Sequence, residues 1–409
     1  MSATNLVFQS TEQESSPANQ GWSPRRAQLA ARMQGVRICH LSPIQRIRDE
    51  RAFSRESVPS VAYGLRPVIV GPHSLAGSNE QVEFVPVPRS RNRALRILLA
   101  IRMVRWALKQ DADIYHVHGP ELIPAGLTLR HVFRKKVVYD TREDFPAMML
   151  TKTYLPRRWR ALVSRMVSVI EKLAARSANA VVTADPGSLR PLARTGKSRK
   201  LVFYNFPNLR YFPPNGRMEK PFDLVYRGGL SERAGTFALL QALQLLREQG
   251  IKVRLLLFGY TDNIEVQQSI RDSLIALGIE HQVTLRGVIP HDAMASTLSQ
   301  ARIAVCPLQK IPKFMNNIPV KVFESWACGL PVIATDLPPI RPFFGDRGLG
   351  LLVKPGDPQD LAKAIGRLLD APELIEEYGR RARQMVLTRY NAAMEIHKLV
   401  SLYGEVLAC

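Results

Sequence analysis

The side chains of this chain that are best suited to chemistry are a Lys and a Glu three residues apart, in a segment that predicts the start of a helix. The segment is NIPVKVFESWACG, residues 317–329. Pro319 is favoured in the first turn of a helix, and Gly329 is typical of the position just after the last turn. Lys321 and Glu324 therefore share one helix face near its positive end. An ordinary surface ion pair on a helix that covers a sheet would have the same spacing.

The chemistry that this segment favours is the binding of a diphosphate. The unpaired backbone N–H groups of the non-proline residues in 317–320 would face the phosphate oxygens, and the helix dipole would stabilise their charge. Lys321 adds a cation, and Glu324 can accept hydrogen bonds from ribose hydroxyls. The sequence therefore predicts a nucleotide site at the start of this helix.

Predicted strands alternate with predicted helices in two blocks, which indicates an α/β protein with parallel sheets. Residues 36–205 and 223–385 each predict a Rossmann-like, doubly wound domain, and the Pro-rich residues 206–222 predict a linker. Such domains bind ligands at the carboxyl ends of their strands, so we expect an interdomain cleft. The polar residues 1–35 predict a disordered tail. Residues 386–409 predict a C-terminal helix that returns to the first domain.

Length and composition exclude several classes of protein. A chain of 409 residues is too long for one ordinary core. With 46% hydrophobic and 22% charged residues, it is not intrinsically disordered. No apolar run is long enough to cross a bilayer, and the first 35 residues contain no apolar stretch typical of a secretory signal. We therefore expect a cytoplasmic protein.

Positive charge is concentrated in the first half of the chain. Residues 1–215 contain 34 Lys and Arg against 15 Asp and Glu, whereas the remainder contains 23 against 20. The predicted helix over residues 156–173 is amphipathic and basic. Its apolar stripe is Trp159, Leu162, Met166, Ile170 and Leu173, and its recurring cations are Arg158, Arg165 and Lys172. We expect this domain to dock peripherally on the anionic inner leaflet of the cell membrane. The alternative is that the stripe packs on the sheet and the charges are merely solvated.

The string PVKVFESWACGLPVIATDLP, residues 319–338, resembles the donor-binding segment of glycosyltransferase family 4, the retaining enzymes of the GT-B fold. The segments that resemble the subgroup that builds bacterial surface polysaccharides are residues 48–51, 113–122, 137–146, 225–235 and 350–355. The resemblance implies transfer of a hexose-type sugar from a nucleotide diphosphate sugar to a lipid-linked or saccharide acceptor. A non-catalytic relative that binds nucleotides or acts as a scaffold is the alternative.

The resemblance also implies roles for individual residues. Glu324 would bind the donor ribose, Gly228 and Gly229 would form a loop against the diphosphate, the Val288 backbone would lie near the base, and His118 would face the transferred sugar. The predicted catalytic residues are His118 and Lys321. The predicted donor-binding residues are Arg227, Gly228, Gly229, Arg233, Gly259, Val288, Asn316, Asn317, Ile318 and Glu324. The predicted acceptor-side residues are Pro120, Glu121, Glu143 and Asp144.

The chain departs from the family pattern at four positions. Asn316 stands where relatives carry a Glu, and Arg142 where many carry a His. Gly229 and Ala234 stand where relatives carry the two basic residues that neutralise the diphosphate. Arg227, Arg233 or Lys321 must therefore supply that charge.

Other classes of function fit the sequence less well. A nucleic-acid-binding protein would explain the charge, but no helix-turn-helix, zinc-finger or aromatic-rich sheet motif is present, so no nucleic-acid partner is expected. A nicotinamide dehydrogenase should carry Gly-x-Gly-x-x-Gly after its first strand, and Cys39–Pro43 does not. No Asp-x-Asp cluster follows a predicted strand, so neither a metal nor another cofactor is expected besides the nucleotide sugar substrate.

Overall fold

The computed structural model describes most of the chain, and the two predicted domains are present. The described residues are 23–42, 50–72, 81–88, 92–152, 155–214, 219–261 and 263–409. Residues 1–22 of the predicted tail lie outside them. Among the described residues, no helix is long and apolar enough to cross a bilayer.

The first domain is built on a seven-stranded parallel sheet. Its strands are β1 (Arg37–Leu41), β2 (Arg66–Gly71), β3 (Glu83–Pro86), β4 (Ile114–His118), β5 (Val137–Thr141), β6 (Ala180–Thr183) and β7 (Arg199–Val202). The strand order is β3-β2-β1-β4-β5-β6-β7. The order reverses between β1 and β4, which is the position where doubly wound sheets open a crevice for ligands.

Helices cover both faces of this sheet. They are α1 (Pro24–Met33), α2 (Val58–Val61), α3 (Arg93–Leu108), α4 (Ile123–His131), α5 (Phe145–Leu150), α6 (Arg157–Ser177) and α7 (Pro186–Leu189). A buried π-helical segment, Arg51–Ser57, leads into α2, and a 3₁₀ turn, Pro120–Leu122, follows β4.

The second domain repeats the architecture with six parallel strands in the order β10-β9-β8-β11-β12-β13. The strands are β8 (Phe222–Leu230), β9 (Leu255–Thr261), β10 (Val283–Arg286), β11 (Ala301–Cys306), β12 (Val332–Thr335) and β13 (Gly350–Val353). The helices are α8 (Thr236–Glu248), α9 (Ile264–Ala276), α10 (Met294–Leu298), α11 (Val320–Ala327), α12 (Arg341–Phe344), α13 (Pro358–Leu369) and α14 (Pro372–Thr388). Two 3₁₀ turns are Glu232–Ala234 and Glu280–Gln282.

The segments outside the two sheets are more ordered than the sequence predicts. In the predicted linker, Phe206 and Phe212 are buried in the core of the second domain, and a 3₁₀ turn lies between them at Leu209–Tyr211. Within the predicted tail, α1 packs on the last helix, α15 (Ala392–Leu407), and its Met33 is buried in the same apolar cluster. This burial explains why residues 24–33 are helical.

Helix α15 belongs spatially to the first domain, where the sequence analysis placed it. Its Leu399, Val400 and Tyr403 are buried in one cluster with Ile38 of β1 and Ile114 of β4. The C-terminal end of the chain therefore covers the sheet of the first domain and joins the two domains a second time.

Candidate active site in the cleft between the domains

A cavity of about 270 Å³ lies between the domains and is lined by residues from both. We call it the inner cavity. The first domain contributes residues that follow the ends of β5, β6 and β7, and the second contributes the end of β8 and the segment before α11. The polar lining residues are Arg142, Glu143, Asp185, Asn205, Ser231, Arg233, Lys313, Asn317 and Lys321. The inner cavity thus lies at the carboxyl ends of two parallel sheets, where the sequence analysis predicts the site.

Lys321 lies at the second residue of α11 and lines the inner cavity. Its Nζ lies 4.3 Å from the centre of the Tyr226 ring, a favourable contact for a cation. A Cβ atom placed on Gly228 would be 3.8 Å from the same Nζ. The ammonium group is therefore held beside Gly228 and the start of α11, where a diphosphate would meet both the charge and the helix dipole.

Gly228 and Gly229 form the end of strand β8 rather than a separate loop, and they pair with Gly259 and Tyr260 of β9. We call Gly228 and Gly229 the glycine pair. A Cβ atom on Gly259 would lie 1.7 Å from the carbonyl oxygen of Gly228, so only glycine fits there. The Tyr226 hydroxyl donates to the Gly229 carbonyl at 2.9 Å. The glycine pair thus gives the cavity a fixed wall without side chains, which permits close approach of a ligand.

A Cβ atom on Gly229 would lie 3.2 Å from the Tyr260 ring. Tyr260 therefore occupies the space into which a longer side chain at position 229 would extend. Arg233 lines the inner cavity, and its carbonyl accepts from the backbone N–H of Gln309 at 3.0 Å. Three cations were expected to substitute for the absent basic residues. Lys321 and Arg233 line the inner cavity, whereas Arg227 does not.

A second, larger cavity of about 730 Å³ adjoins the first at Tyr260, which borders both. We call it the outer cavity. Gly259, Arg271, Arg286 and Val288 are among its lining residues. Val288 follows β10 and is exposed, and the position of its backbone near a base stays a prediction. The two cavities together offer space for a ligand with a diphosphate and a flat base.

Glu324 is buried and does not line either cavity. Its carboxylate lies between two guanidinium groups, those of Arg227 from its own domain and Arg55 from the π-helical segment of the first domain. The Arg55 Nη2 to Glu324 Oε1 distance is 3.2 Å. Ribose binding by Glu324 stays a prediction, and it requires this carboxylate to exchange one of these partners for a hydroxyl.

The structure places His118 away from the cleft surface. It is completely buried at the end of β4, where its Nε2 lies 3.0 Å from His40 Nδ1 and its Nδ1 lies 3.4 Å from Asp140 Oδ2. Its side chain falls on the sheet face that the π-helical segment covers, because Glu56 of that segment lies 3.6 Å away. The expected contact with the transferred sugar is therefore not available in this conformation. Pro120 and Glu121, in the following 3₁₀ turn, do not line the two cavities either.

Four predicted site residues take part in three polar contacts from one domain to the other. Glu143 pairs with Lys313 at 3.1 Å, and the Asn316 amide donates to Asp144 at 3.0 Å. Asn317 donates to Asp185 at 3.0 Å. Ile318 lines the inner cavity beside them. The segment before α11 is therefore bound to the first domain directly at the cleft.

The sequence analysis missed Asp185, Asn205, Lys313 and Tyr260 as lining residues. Asp185 carried a local signal, because an Asp before Pro that follows a strand is typical of a helix N-cap. In the structure its carboxylate accepts from the Ser188 backbone N–H, and burial raises its pKa. The other three carried no signal in one sequence, since tertiary packing alone brings them to the cavity.

Comparison with known proteins agrees with this geometry. Residues 209–385 match the family model described as Glycosyl transferases group 1. An amylovoran biosynthesis glycosyltransferase of Erwinia amylovora is 25% identical over 45% of this chain, which spans only 45% of that relative's length. A phosphatidyl-myo-inositol mannosyltransferase of Mycobacterium leprae is 22% identical over 90% of this chain and 92% of its own length.

The solved structure of Anabaena HepE in complex with UDP and glucose superimposes with a TM-score of 0.69 at 15% identity, covering 90% of this chain and all of that one. This likeness shows the fold, and it confirms the predicted two-domain GT-B architecture. The matched relatives are named as glycosyltransferases, in agreement with the predicted enzyme class. From the linker to near the end of α14, this chain thus matches the glycosyl transferases group 1 model, and the described residues have the GT-B fold.

Proposed function

We propose that the protein is a retaining glycosyltransferase that moves a hexose-type sugar from a nucleotide diphosphate sugar to a lipid-linked or saccharide acceptor in surface polysaccharide synthesis. The observation that carries the proposal is the Lys321 ammonium group beside Gly228 in an interdomain cavity. A relative named for amylovoran biosynthesis supports the polysaccharide acceptor, and a structural neighbour that holds UDP and glucose supports the donor.

In the proposed reaction, the donor diphosphate lies in the inner cavity and the nucleoside extends into the outer one. The bond between sugar C1 and the phosphate oxygen breaks through an oxocarbenium-like transition state, and negative charge grows on the leaving phosphate. The N–H groups at the start of α11 and the Lys321 ammonium group stabilise that charge more in the transition state than in the ground state. The acceptor hydroxyl attacks from the same face and gives its proton to the departing phosphate. The reaction therefore needs neither a separate base nor a metal in the cleft.

Replacing Lys321 tests whether its ammonium group stabilises the leaving phosphate. Lys321→Ala should lower kcat by roughly tenfold to a thousandfold, the effect of losing one group that stabilises a developing oxyanion. Lys363→Ala on α13, an exposed lysine outside both cavities, is the matched control and should leave kcat unchanged. Turnover near the wild-type rate in the Lys321 variant would contradict the assignment.

A non-catalytic relative that binds nucleotides is the second candidate, because Gly229 and Ala234 replace two basic residues of the family pattern. A thermal-shift panel of nucleoside diphosphates and nucleotide sugars separates the two candidates when it is combined with a transfer assay. A ligand at a hundred times its Kd adds roughly 2.7 kcal/mol of stability. Stabilisation by a nucleotide sugar without hydrolysis or transfer would favour the non-catalytic candidate.

We further propose that the first domain docks on the anionic inner leaflet, where a lipid-linked acceptor would be met. The supporting observation is that the apolar stripe of α6 does not pack on the sheet. Its members Trp159, Leu162, Met166, Ile170 and Leu173 are 42–54% exposed. Arg158, Arg165 and Arg176 are exposed along the edge of that stripe. An apolar face beside a row of cations fits a bilayer with anionic headgroups.

A further inference from the structure

Three histidines and a glutamate converge in the core of the first domain, away from the two cavities of the cleft. They are His40, Glu56, His116 and His118, and we call them the histidine cluster. Each is at most 1% exposed. One nitrogen or oxygen atom from each residue lies within 4.8 Å of the corresponding atom of all the others. The proposed sugar transfer does not use this arrangement.

The fold brings the four residues together from three elements. His116 and His118 are two apart in β4, so they lie on the same face of the sheet. His40 pairs directly with His116 across the neighbouring strand β1. Glu56 reaches the same face from the π-helical segment that covers it. The register of β1 and β4 therefore places three imidazole rings on one face of the sheet, next to the Glu56 carboxylate.

The distances from the Glu56 carboxylate to the facing ring nitrogens approach those of a metal coordination shell. Glu56 Oε2 lies 3.5 Å from His40 Nδ1, 3.6 Å from His116 Nδ1 and 3.6 Å from His118 Nε2. His40 Nδ1 and His118 Nε2 are 3.0 Å apart. A tetrahedral zinc ion with bonds of about 2.0–2.2 Å holds its ligand atoms about 3.3–3.5 Å from one another. The observed distances lie on both sides of that range.

The atoms behind the cluster are arranged to orient the imidazole rings. Asp140 Oδ2 lies 3.5 Å from His116 Nε2 and 3.4 Å from His118 Nδ1, the ring nitrogens that face away from Glu56. Tautomers that carry the proton on these two nitrogens would leave the lone pairs of the other two nitrogens on the Glu56 side of the rings. Arg51 holds Asp140 at 2.7 Å and contacts the second oxygen of Glu56 at 3.0 Å. A carboxylate behind a histidine ligand is typical of protein metal sites.

We propose that His40, His116, His118 and Glu56 bind one structural Zn²⁺ in the core of the first domain. Three neutral imidazoles and one carboxylate are a ligand set that suits zinc, and four protein ligands are typical of structural sites. The ion takes the place of the direct contact between His40 Nδ1 and His118 Nε2 at 3.0 Å. It takes the place of the hydrogen bond that the Tyr403 hydroxyl shares with His116 Nδ1 at 2.6 Å. Because the site is buried, the ion is bound as the domain folds.

The test measures metal in the full-length, tag-free protein. After expression in zinc-supplemented medium and dialysis, elemental analysis should find about one zinc per chain. His116→Ala and Glu56→Ala should lose most of it, while His281→Ala, which replaces an exposed histidine of the second domain, should retain it. Zinc at the level of the dialysis buffer in the wild-type protein would overturn the proposal, and so would full retention in both ligand variants.

A second measurement on the wild-type protein avoids variants that fail to fold. The chain is unfolded in denaturant with EDTA and refolded with Co²⁺, whose d–d absorption reports its coordination. The strong visible bands of a tetrahedral ion in the refolded protein would support the site. A refolded protein with the same thermal stability and no cobalt absorption would overturn it. Neither outcome bears on sugar transfer, so the two proposals stand or fall separately.

Discussion

Lys321 and the glycine pair act as one unit in the inner cavity. A Cβ atom at Gly228 would be 3.8 Å from Lys321 Nζ, and one at Gly229 would be 3.2 Å from Tyr260. The wall of the cavity therefore has room for the phosphates themselves but not for an additional long side chain at position 229. The cation comes instead from the start of α11, where its charge adds to the helix dipole.

The close approach of Gly259 in β9 to the glycine pair can be tested by adding a single methyl group. Gly259 has φ 147°, and a Cβ atom there would lie 1.7 Å from the Gly228 carbonyl oxygen. Gly259→Ala must therefore displace the glycine pair, and we expect a loss of stability of about 1–3 kcal/mol together with weaker donor binding. Thermal unfolding and nucleotide titration measure the two effects.

Gly287→Ala is the matched control for that substitution. Like Gly259, Gly287 lines the outer cavity, but a Cβ atom on Gly287 meets no atom within 4 Å. Its unfolding temperature should stay within experimental error of the wild-type value. Equal behaviour of the two variants would show that the close approach between β8 and β9 does not constrain the site.

A buried carboxyl on the inner face of α6 predicts a pH-dependent stability. Burial raises the pKa of Glu171 to about 7 from its ordinary value of 4.5, although hydrogen bonds from Thr141 and Tyr139 oppose the rise. The folded state therefore holds a proton that the unfolded state releases. This stabilisation is complete below about pH 4.5 and is lost as the pH rises through 7, a change of up to about 3 kcal/mol.

Glu171→Gln should remove this pH dependence, because an amide keeps the acceptor oxygen for Thr141 and Tyr139 but does not titrate. Chemical unfolding of the variant and the wild-type protein at pH 5 and pH 8 gives the comparison. The free energy of unfolding of the wild-type protein should fall relative to the variant at the higher pH. A constant difference between the two proteins would contradict the shifted pKa.

At the scale of elements, α6 combines two features that can be separated by mutation. Its exposed apolar stripe should contribute insertion into the bilayer, and its cations should contribute attraction of about 1 kcal/mol each to anionic lipid. Met166→Glu should abolish sedimentation with anionic vesicles. Arg158→Gln with Arg165→Gln should weaken sedimentation and reduce its dependence on salt.

Ile275→Glu on α9 is the control for the apolar substitution, because Ile275 is exposed but belongs to the second domain. It should leave vesicle binding unchanged. Binding of the wild-type protein that persists at high salt would contradict an electrostatic contribution, and equal loss in both Glu variants would show that α6 is not the docking element.

Elements with a local signal in the sequence were predictable. The Pro and Gly that flank α11 predict its bounds to within a residue or two, because both residues act through backbone geometry. Helix α1 was not predictable, since Met33 is buried only where α15 returns to cover it. The histidine cluster was missed for the same reason. The alternate histidines of β4 are visible in the sequence, but their partner Glu56 reaches them only through tertiary packing.

At the scale of the whole molecule, direct polar contacts between the two domains close the cleft. Three of them bind the segment before α11 to the first domain, and Arg55 reaches across to Glu324. Helix α7 comes so close to this segment that a Cβ atom on Gly187 would lie 2.4 Å from the Asn316 carbonyl oxygen. Individually such contacts are weak, but together they bias the domains toward the closed arrangement.

Charge reversal at one of these contacts tests the bias. Lys313→Glu places a carboxylate against Glu143, which Lys313 contacts at 3.1 Å, and beside Asp144, so repulsion should open the cleft. Glu143→Lys should open it in the same way. Each single variant should therefore show a larger radius of gyration than the wild-type protein by small-angle X-ray scattering at low salt. The double variant restores an attractive pair and should return to the wild-type radius. If the double variant stays as expanded as the singles, the contact does not hold the domains together.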